Sequence, residues 1–130
     1  MIDKIALLYY RNGKILTTRS KGKDAYYFPG GKREGSESDL ETLVREIKEE
    51  LSVDIIPESV KPYGIFSAQA HGKSNGVIVQ MSCYTAEFTG ELRPDNEIEE
   101  IRWIDYSDYD TVSPVDKLIL DDLRSKGFIK

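Results

Sequence analysis

The sequence predicts an α+β fold in one domain, residues 1–130, with a mixed β-sheet at its centre. Three observations lead there. Residues 38–51 carry an amphipathic helical pattern, residues 114–126 carry a second, and short β-rich runs punctuated by Gly, Pro and Asn fill most of the rest. A chain of 130 residues is a common domain size and is long enough to bury a core.

In chain order, residues 2–10 read as a strand, Asn12-Gly13 as a hairpin turn and residues 14–19 as the returning strand. Residues 26–28 form a short extended piece that Pro29-Gly30 ends. In the first helix Leu40, Leu43, Val44, Ile47 and Leu51 recur at spacings of three and four, the mark of one apolar face. Ser38 followed by Glu41 fits a capping box, and Gly35, Ser36, Glu37 and Asp39 add start signals. Residues 63–70 and 77–88 read as strands joined by the loop 71–76, and residues 100–104 as a last short strand. The final helix has Ser113 as its cap, Pro114 in its first turn and Gly127 as its stop. The chain shows no internal repeat, low-complexity tract or linker.

Composition narrows the function. With 39% hydrophobic residues and 10% aromatics the chain is not a disordered one. A net charge of −5 without a basic stripe argues against binding a nucleic-acid polymer, which needs Lys and Arg to neutralise phosphates. An acidic protein still binds a small polyphosphate if cations bridge the two. The single cysteine, Cys83, rules out an internal disulfide and suits a reducing compartment; alternating with Val77, Val79 and Met81, it reads as a buried structural thiol. No apolar leader and no stretch of membrane-spanning length is present, so the expectation is a cytoplasmic protein without a membrane partner, monomer or homodimer.

The chemistry concentrates in the first helix. Glu46, Glu49 and Glu50 fall on one arc of about 100° beside the apolar stripe. Like charges at these spacings cost roughly 0.2–0.5 kcal/mol per pair. Acids in a last turn also face the negative end of the helix dipole, a further few tenths to about 1 kcal/mol each. A solvated acidic face is the bland reading. An ordinary surface helix would, however, place Lys or Arg there, and a hard cation removes the penalty. Mg²⁺ binds through one or two carboxylates plus substrate phosphates.

From Gly31 to Val53 the chain resembles the signature of the Nudix hydrolase family, G-x5-E-x7-R-E-U-x-E-E-x-G-U, where U is a bulky aliphatic residue. Gly31, Glu37, Arg45, Glu46, Glu49 and Glu50 match in register, as do Ile47 and Val53. Six fixed matches arise by chance at about 10⁻⁷ per starting position. One position departs: Ser52 stands where the family has Gly just past the helix end. A left-handed backbone is common there, so Ser52 implies roughly 1 kcal/mol of strain or a different helix ending.

The resemblance, MutT-like in layout, implies a Nudix-type α/β/α sandwich around the mixed sheet. It implies that Glu46, Glu49 and Glu50 hold Mg²⁺ (or Mn²⁺), with the Gly30 carbonyl as a further ligand and Gly31 in the turn beside the substrate. It implies that Arg45 pairs with Glu37 and fixes the helix against the preceding loop, an ordinary surface ion pair being the alternative. Outside the signature, Glu97 resembles a later-loop Glu that approaches the metals as ligand or general base. Glu99 and Glu100 compete for that role, and a solvated acidic loop is the bland alternative. Arg19 resembles a substrate-phosphate contact, and Lys32 beside the glycines could assist it. His71 is an exposed loop residue or a substrate contact, and Tyr26, Tyr27 and Phe28 are core or a stacking surface for a base.

The expected activity is metal-dependent hydrolysis of the pyrophosphate linkage in a nucleoside diphosphate derivative. The leading substrate is a nucleoside triphosphate, natural or oxidised, cleaved to monophosphate and pyrophosphate. ADP-ribose, a nucleotide sugar and a dinucleoside polyphosphate are the alternatives; Ala68 and Gln69 stand where ADP-ribose hydrolases carry a marker proline. A non-catalytic nucleotide-binding module and a structural acidic domain complete the range.

Overall fold

The computed structural model describes residues 1–130 apart from His71 and Ser74, so the His71 expectation lies outside the described residues. The chain opens with β1 (Ile2–Leu7) and returns through a hairpin of β2 (Tyr10–Arg11) and β3 (Lys14–Ser20). Asn12 and Gly13 have φ of 55° and 79°, the two positive values that a two-residue hairpin turn needs and an Asn-Gly pair supplies readily. The strand expected over residues 2–10 is broken before Tyr10, because β2 belongs to a different sheet from β1.

After β4 (Gly30–Gly31) come α1 (Asp39–Leu51), β5 (Asp54–Ile55), β6 (Lys61–Gln69) and β7 (Ile78–Thr85). The chain finishes with β8 (Phe88–Thr89), β9 (Ile98–Ile104) and α2 (Pro114–Ser125). The larger sheet has the order β4-β1-β7-β6, with β1 and β7 parallel and the other pairs antiparallel. A three-stranded antiparallel sheet, β2-β3-β9, lies beside it. The run 77–88 is divided, since β8 leaves β7 to pair with β5.

Two apolar clusters lie on opposite faces of β1, and the pleat explains them. Successive side chains of a strand point to opposite faces. Ile5 and Leu7 pack with Leu43, Ile47 and Leu51 of α1. Ala6 and Leu8 pack with Val115, Ile119, Leu120 and Leu123 of α2. The mixed sheet is thus covered by a helix on each side, the α/β/α sandwich of the expectation.

Helix α1 begins as read: Ser38 Oγ accepts from Glu41 N–H at 3.1 Å and Glu41 Oε1 accepts from Ser38 N–H at 2.9 Å. Its anchors Leu43, Ile47 and Leu51 are 0% exposed, each worth about 1.5–3 kcal/mol of burial. Two expectations fail. Leu40 is 38% exposed, because the stripe ends where the first turn clears the sheet, and Thr42 is buried in its place. Ser113 occupies the N-cap position of α2 but makes no capping hydrogen bond. Among the described residues no helix is long and apolar enough to cross a membrane.

Candidate active site

Arg45 organises the start of the site. Its Nε and Nη2 donate to the two carboxylate oxygens of Glu37 at 2.7 and 2.9 Å, a bidentate pair, and Nη2 also donates to the Lys32 carbonyl at 3.0 Å. The expected Arg45–Glu37 pair is therefore present, and it ties α1 to the loop before it. The guanidinium, together with the Glu34 backbone N–H, pushes the Glu37 carboxyl down to about 2. The remaining donor, Nη1, reaches Glu46 at 2.9 Å and Glu49 at 3.5 Å.

The two glycines are demanded by close approach. Gly30 has φ of 146°, and a Cβ there would stand 2.0 Å from the Ile5 carbonyl oxygen across the β1–β4 pairing. A Cβ on Gly31 would meet the Glu46 carboxylate at 2.5 Å. The bare backbone of β4 thus forms a floor on which the acidic face of α1 rests, and the Gly30 N–H donates to Glu50 Oε1 at 3.0 Å.

The end of α1 brings in a second segment. Its last carbonyls accept from Arg93 N–H at Leu51 (2.9 Å) and from Asp95 N–H at Glu50 (3.1 Å), which satisfies groups a helix end leaves open. The loop so held carries Glu97, whose carbonyl accepts from Lys21 N–H at 2.8 Å. Ser52 takes the left-handed conformation directly, with φ of 65°, and its Oγ donates to the Arg93 carbonyl at 3.2 Å. Of the two endings Ser52 allowed, the chain uses the strained one and ties it to the same loop.

Electrostatics register this convergence. Burial, followed by the charges of Glu46, Glu97 and Glu49, raises the Glu50 carboxyl to about 8 against the lowering effect of Gly30 N–H. Burial also raises Glu46, opposed by Arg45. Glu99 and Glu100 are engaged at 2.8 and 3.2 Å from Arg19, and of the three acids Glu97 is the one whose charge acts on Glu50.

Whether these residues suit a divalent ion turns on the donor set. Among the described residues no three acids, histidines or cysteines form a ready-made ligand group, because Arg45 holds Glu46 and Glu49 and Gly30 holds Glu50. Mg²⁺ does not require such a cage: one or two carboxylates, waters and substrate phosphates complete its shell. All the available donors are hard oxygens, and Glu50, crowded by three like charges, gains most from a cation. The residues fit the ion.

Beside this cluster lies a cavity of about 290 Å³ lined at one end by Gly30, Gly31 and Glu50. Its floor includes Phe28, Val79 and Met81, and Tyr27 stands in its wall. Tyr26 and Phe28 are 8% and 4% exposed and belong to the core, so of the three aromatics Tyr27 is the one left partly open at the cavity. Arg19 gives Nη2 to Glu99, Nε to Glu100 and Nη1 to the Lys23 carbonyl, so it fastens β3 to β9. The Lys32 side chain is exposed. Cys83 is 1% exposed and burial pushes its thiol up, as befits an inert core position.

Sequence reading missed Lys4, Lys23 and Lys73, which line the cavity, and Asp116, which is 0% exposed behind it. Nothing local marks them. Asp116 follows Ser113 by three, a spacing that usually describes an exposed helix start.

The NUDIX domain family matches residues 3–123, nearly the whole chain. CTP pyrophosphohydrolase of Escherichia coli (strain K12) is 29% identical over 108 residues, 79% of this chain and 75% of that protein. The mRNA-decapping enzyme subunit 2 of Saccharomyces cerevisiae (strain YJM789) is 30% identical over 93 residues, 72% of this chain; the match spans only 9% of the length of that relative. Among solved structures, the E. coli ORF135 protein superposes with a TM-score of 0.72 at 28% identity, over 98% of this chain and 93% of that one. The chain belongs to the NUDIX domain family.

Proposed function

We propose that this NUDIX-family chain hydrolyses the pyrophosphate linkage of a nucleoside diphosphate derivative. The leading substrate class is a nucleoside triphosphate, natural or oxidised, cleaved to monophosphate and pyrophosphate. One observation carries the reading: Glu46 and Glu50 rest on the Gly30–Gly31 floor at the head of a cavity of about 290 Å³, with the charges of Glu49 and Glu97 acting on Glu50. The name of the E. coli relative, a CTP pyrophosphohydrolase, supports the same chemistry.

In this reading Glu46, Glu49, Glu50, Glu97 and the Gly30 carbonyl hold Mg²⁺ (or Mn²⁺). When bound, such ions polarise phosphoryl oxygens and make a water nucleophilic near neutral pH. The protein's own contribution is placement. Arg45 and Glu37 lock α1 to its loop, the two glycines let the carboxylates reach the backbone floor, and Tyr27 borders the space for the nucleoside. A carboxyl raised to about 8 accepts a proton near neutral pH when no cation is bound, which makes Glu50 the natural candidate for proton transfer or for ion binding.

The test is release of pyrophosphate or phosphate from a panel of nucleotides with Mg²⁺, including oxidised purine triphosphates, ADP-ribose and nucleotide sugars. Turnover that requires the ion and favours triphosphates is expected. Saturable nucleotide binding with no turnover of any member would replace the enzyme with a binding module.

A further inference from the structure

We propose that the cavity takes substrates whose organic part carries a phosphate of its own, separate from the pyrophosphate to be cleaved, and that Lys4, Lys23 and Lys73 hold it. This rests on the hydrolytic reading above and narrows its substrate class. The chain as a whole is acidic, with 23 Asp and Glu against 18 Lys and Arg. The cavity reverses that balance. Among the described residues its lining contains Lys4, Lys23 and Lys73 but a single carboxylate, Glu50, which stands at the end next to the glycines.

The three ammonium groups are free of ion pairs. Among the described residues, Lys48, Lys117 and Lys126 reach carboxylates within 4 Å; Lys4, Lys23 and Lys73 do not. Lys4 is the most telling, since it is only partly exposed and its Nζ lies 5.8 Å from the centroid of the Tyr27 ring. A partly buried ammonium with no carboxylate within 4 Å gains from a ligand that brings a negative charge. Asp116, the nearby buried acid that attracts Lys4, is raised to about 7 by burial and so is only partly charged near neutral pH.

Alternation along β1 sets Lys4 apart from the glutamates. Ile5 faces α1, where the glutamates are, and alternation along β1 turns Lys4 to the opposite face with Ala6. Lys23 follows β3 and Lys73 follows β6, so three separate segments meet at one cavity. Lys23 and Lys73 also border an outer depression that holds Asp24 and Asp110, and Asp110 stands 3.8 Å from Lys117. The acids thus lie outward, and the inner end is cationic. A neutral base and sugar would offer these ammonium groups no charged partner, whereas a phosphate in the cavity supplies one.

Matched substrate pairs test this. With Mg²⁺, kcat/KM is measured for a nucleoside 5′-triphosphate against the same compound bearing a 3′-phosphate, and for ADP-ribose against its 2′-phosphate. A preference of about tenfold or more for the phosphorylated member of a pair is expected, the worth of one charge-assisted hydrogen bond. Lys4→Ala, Lys23→Ala and Lys73→Ala should each reduce that ratio; Lys23 and Lys73 are exposed, so their variants fold. In parallel, metal-free calorimetric titration compares AMP with adenosine 3′,5′-bisphosphate, and the bisphosphate should bind more tightly in the wild type only. Equal kcat/KM within every pair, or lysine variants that depress both members alike, overturns the proposal. If no pyrophosphate compound turns over, the hydrolytic reading fails, and the titration alone then decides for or against the lysines.

Discussion

Glu50 and Asp116 are two raised carboxyls on helices that cover opposite faces of the sheet, and they are raised for different reasons. Glu50 reaches about 8 through burial together with three neighbouring glutamates, while Gly30 N–H pulls it back. Asp116 reaches about 7 through burial alone; Ser113, Lys4 and the Phe28 backbone lower it, and no carboxylate repels it. Both side-chain oxygens of Asp116 are buried without a well-formed hydrogen bond. A crowd of like charges is relieved by a cation from outside. A solitary buried acid is relieved by its own proton. One shifted carboxyl therefore points to a site for an ion, and the other to a neutral polar group at the root of α2.

The largest expected effect breaks the Glu50 side. Glu50→Gln should lower turnover more than the roughly 10²–10³-fold cost of removing one donor from a reaction centre, with circular dichroism unchanged. Near wild-type release of pyrophosphate would remove Glu50 from the ion site.

The pH dependence of stability sharpens the contrast. A carboxyl raised in the folded state binds its proton there after the unfolded chain has lost it. Its contribution is full below the unfolded value near 4 and declines as pH rises through the folded value. Without metal, denaturant stability should thus fall between pH 4 and about 8 through Glu50 and between pH 4 and about 7 through Asp116. Asp116→Asn should remove the second component, at most on the order of 4 kcal/mol at about 1.4 kcal/mol per pKa unit. A variant whose profile overlays the wild type would show that Asp116 is ionised in the folded protein.

Mg²⁺ should act on one side of the comparison only. It should keep Glu50 charged, flatten its part of the profile and raise stability by about 2.7 kcal/mol at a hundredfold excess over Kd. Glu50→Gln should lose most of that gain, whereas Asp116→Asn should keep it; equal gains in all three proteins would locate the ion elsewhere. The smallest effect lies at the end of α1. Ser52→Gly should raise the free energy of unfolding by about 1 kcal/mol, since glycine takes φ of 65° without the Cβ penalty. Loss of the Ser52 Oγ bond to Arg93 works against that gain, and an unchanged or lower Tm would show that the bond outweighs the strain.

Much of this was legible because it is local. The Asn12-Gly13 turn, the Ser38–Glu41 capping box, the apolar stripe of α1 and the Glu37–Arg45 pair all lie within thirteen residues of their partners and obey a single period. The pairing of β5 with β8 was not, since two-residue strands show no alternation and their partners stand 33 residues apart at Ile55 and Phe88. The partners of Arg19 were hidden for a similar reason. A lone strand arginine looks available until Glu99 and Glu100 arrive from β9.

The sequence by itself determined the family, the α+β class and the acidic face of α1, because helical periodicity and motif spacing are written within one segment. Only the tertiary structure decided which charges stand alone. The charge of Glu97 acts on Glu50 because a loop satisfies the end of α1, Lys4 faces a cavity because β1 alternates between two cores, and Asp116 is raised to about 7 because burial seals it from water. Charge state depends on neighbours and solvent, and both are assigned only when distant segments pack.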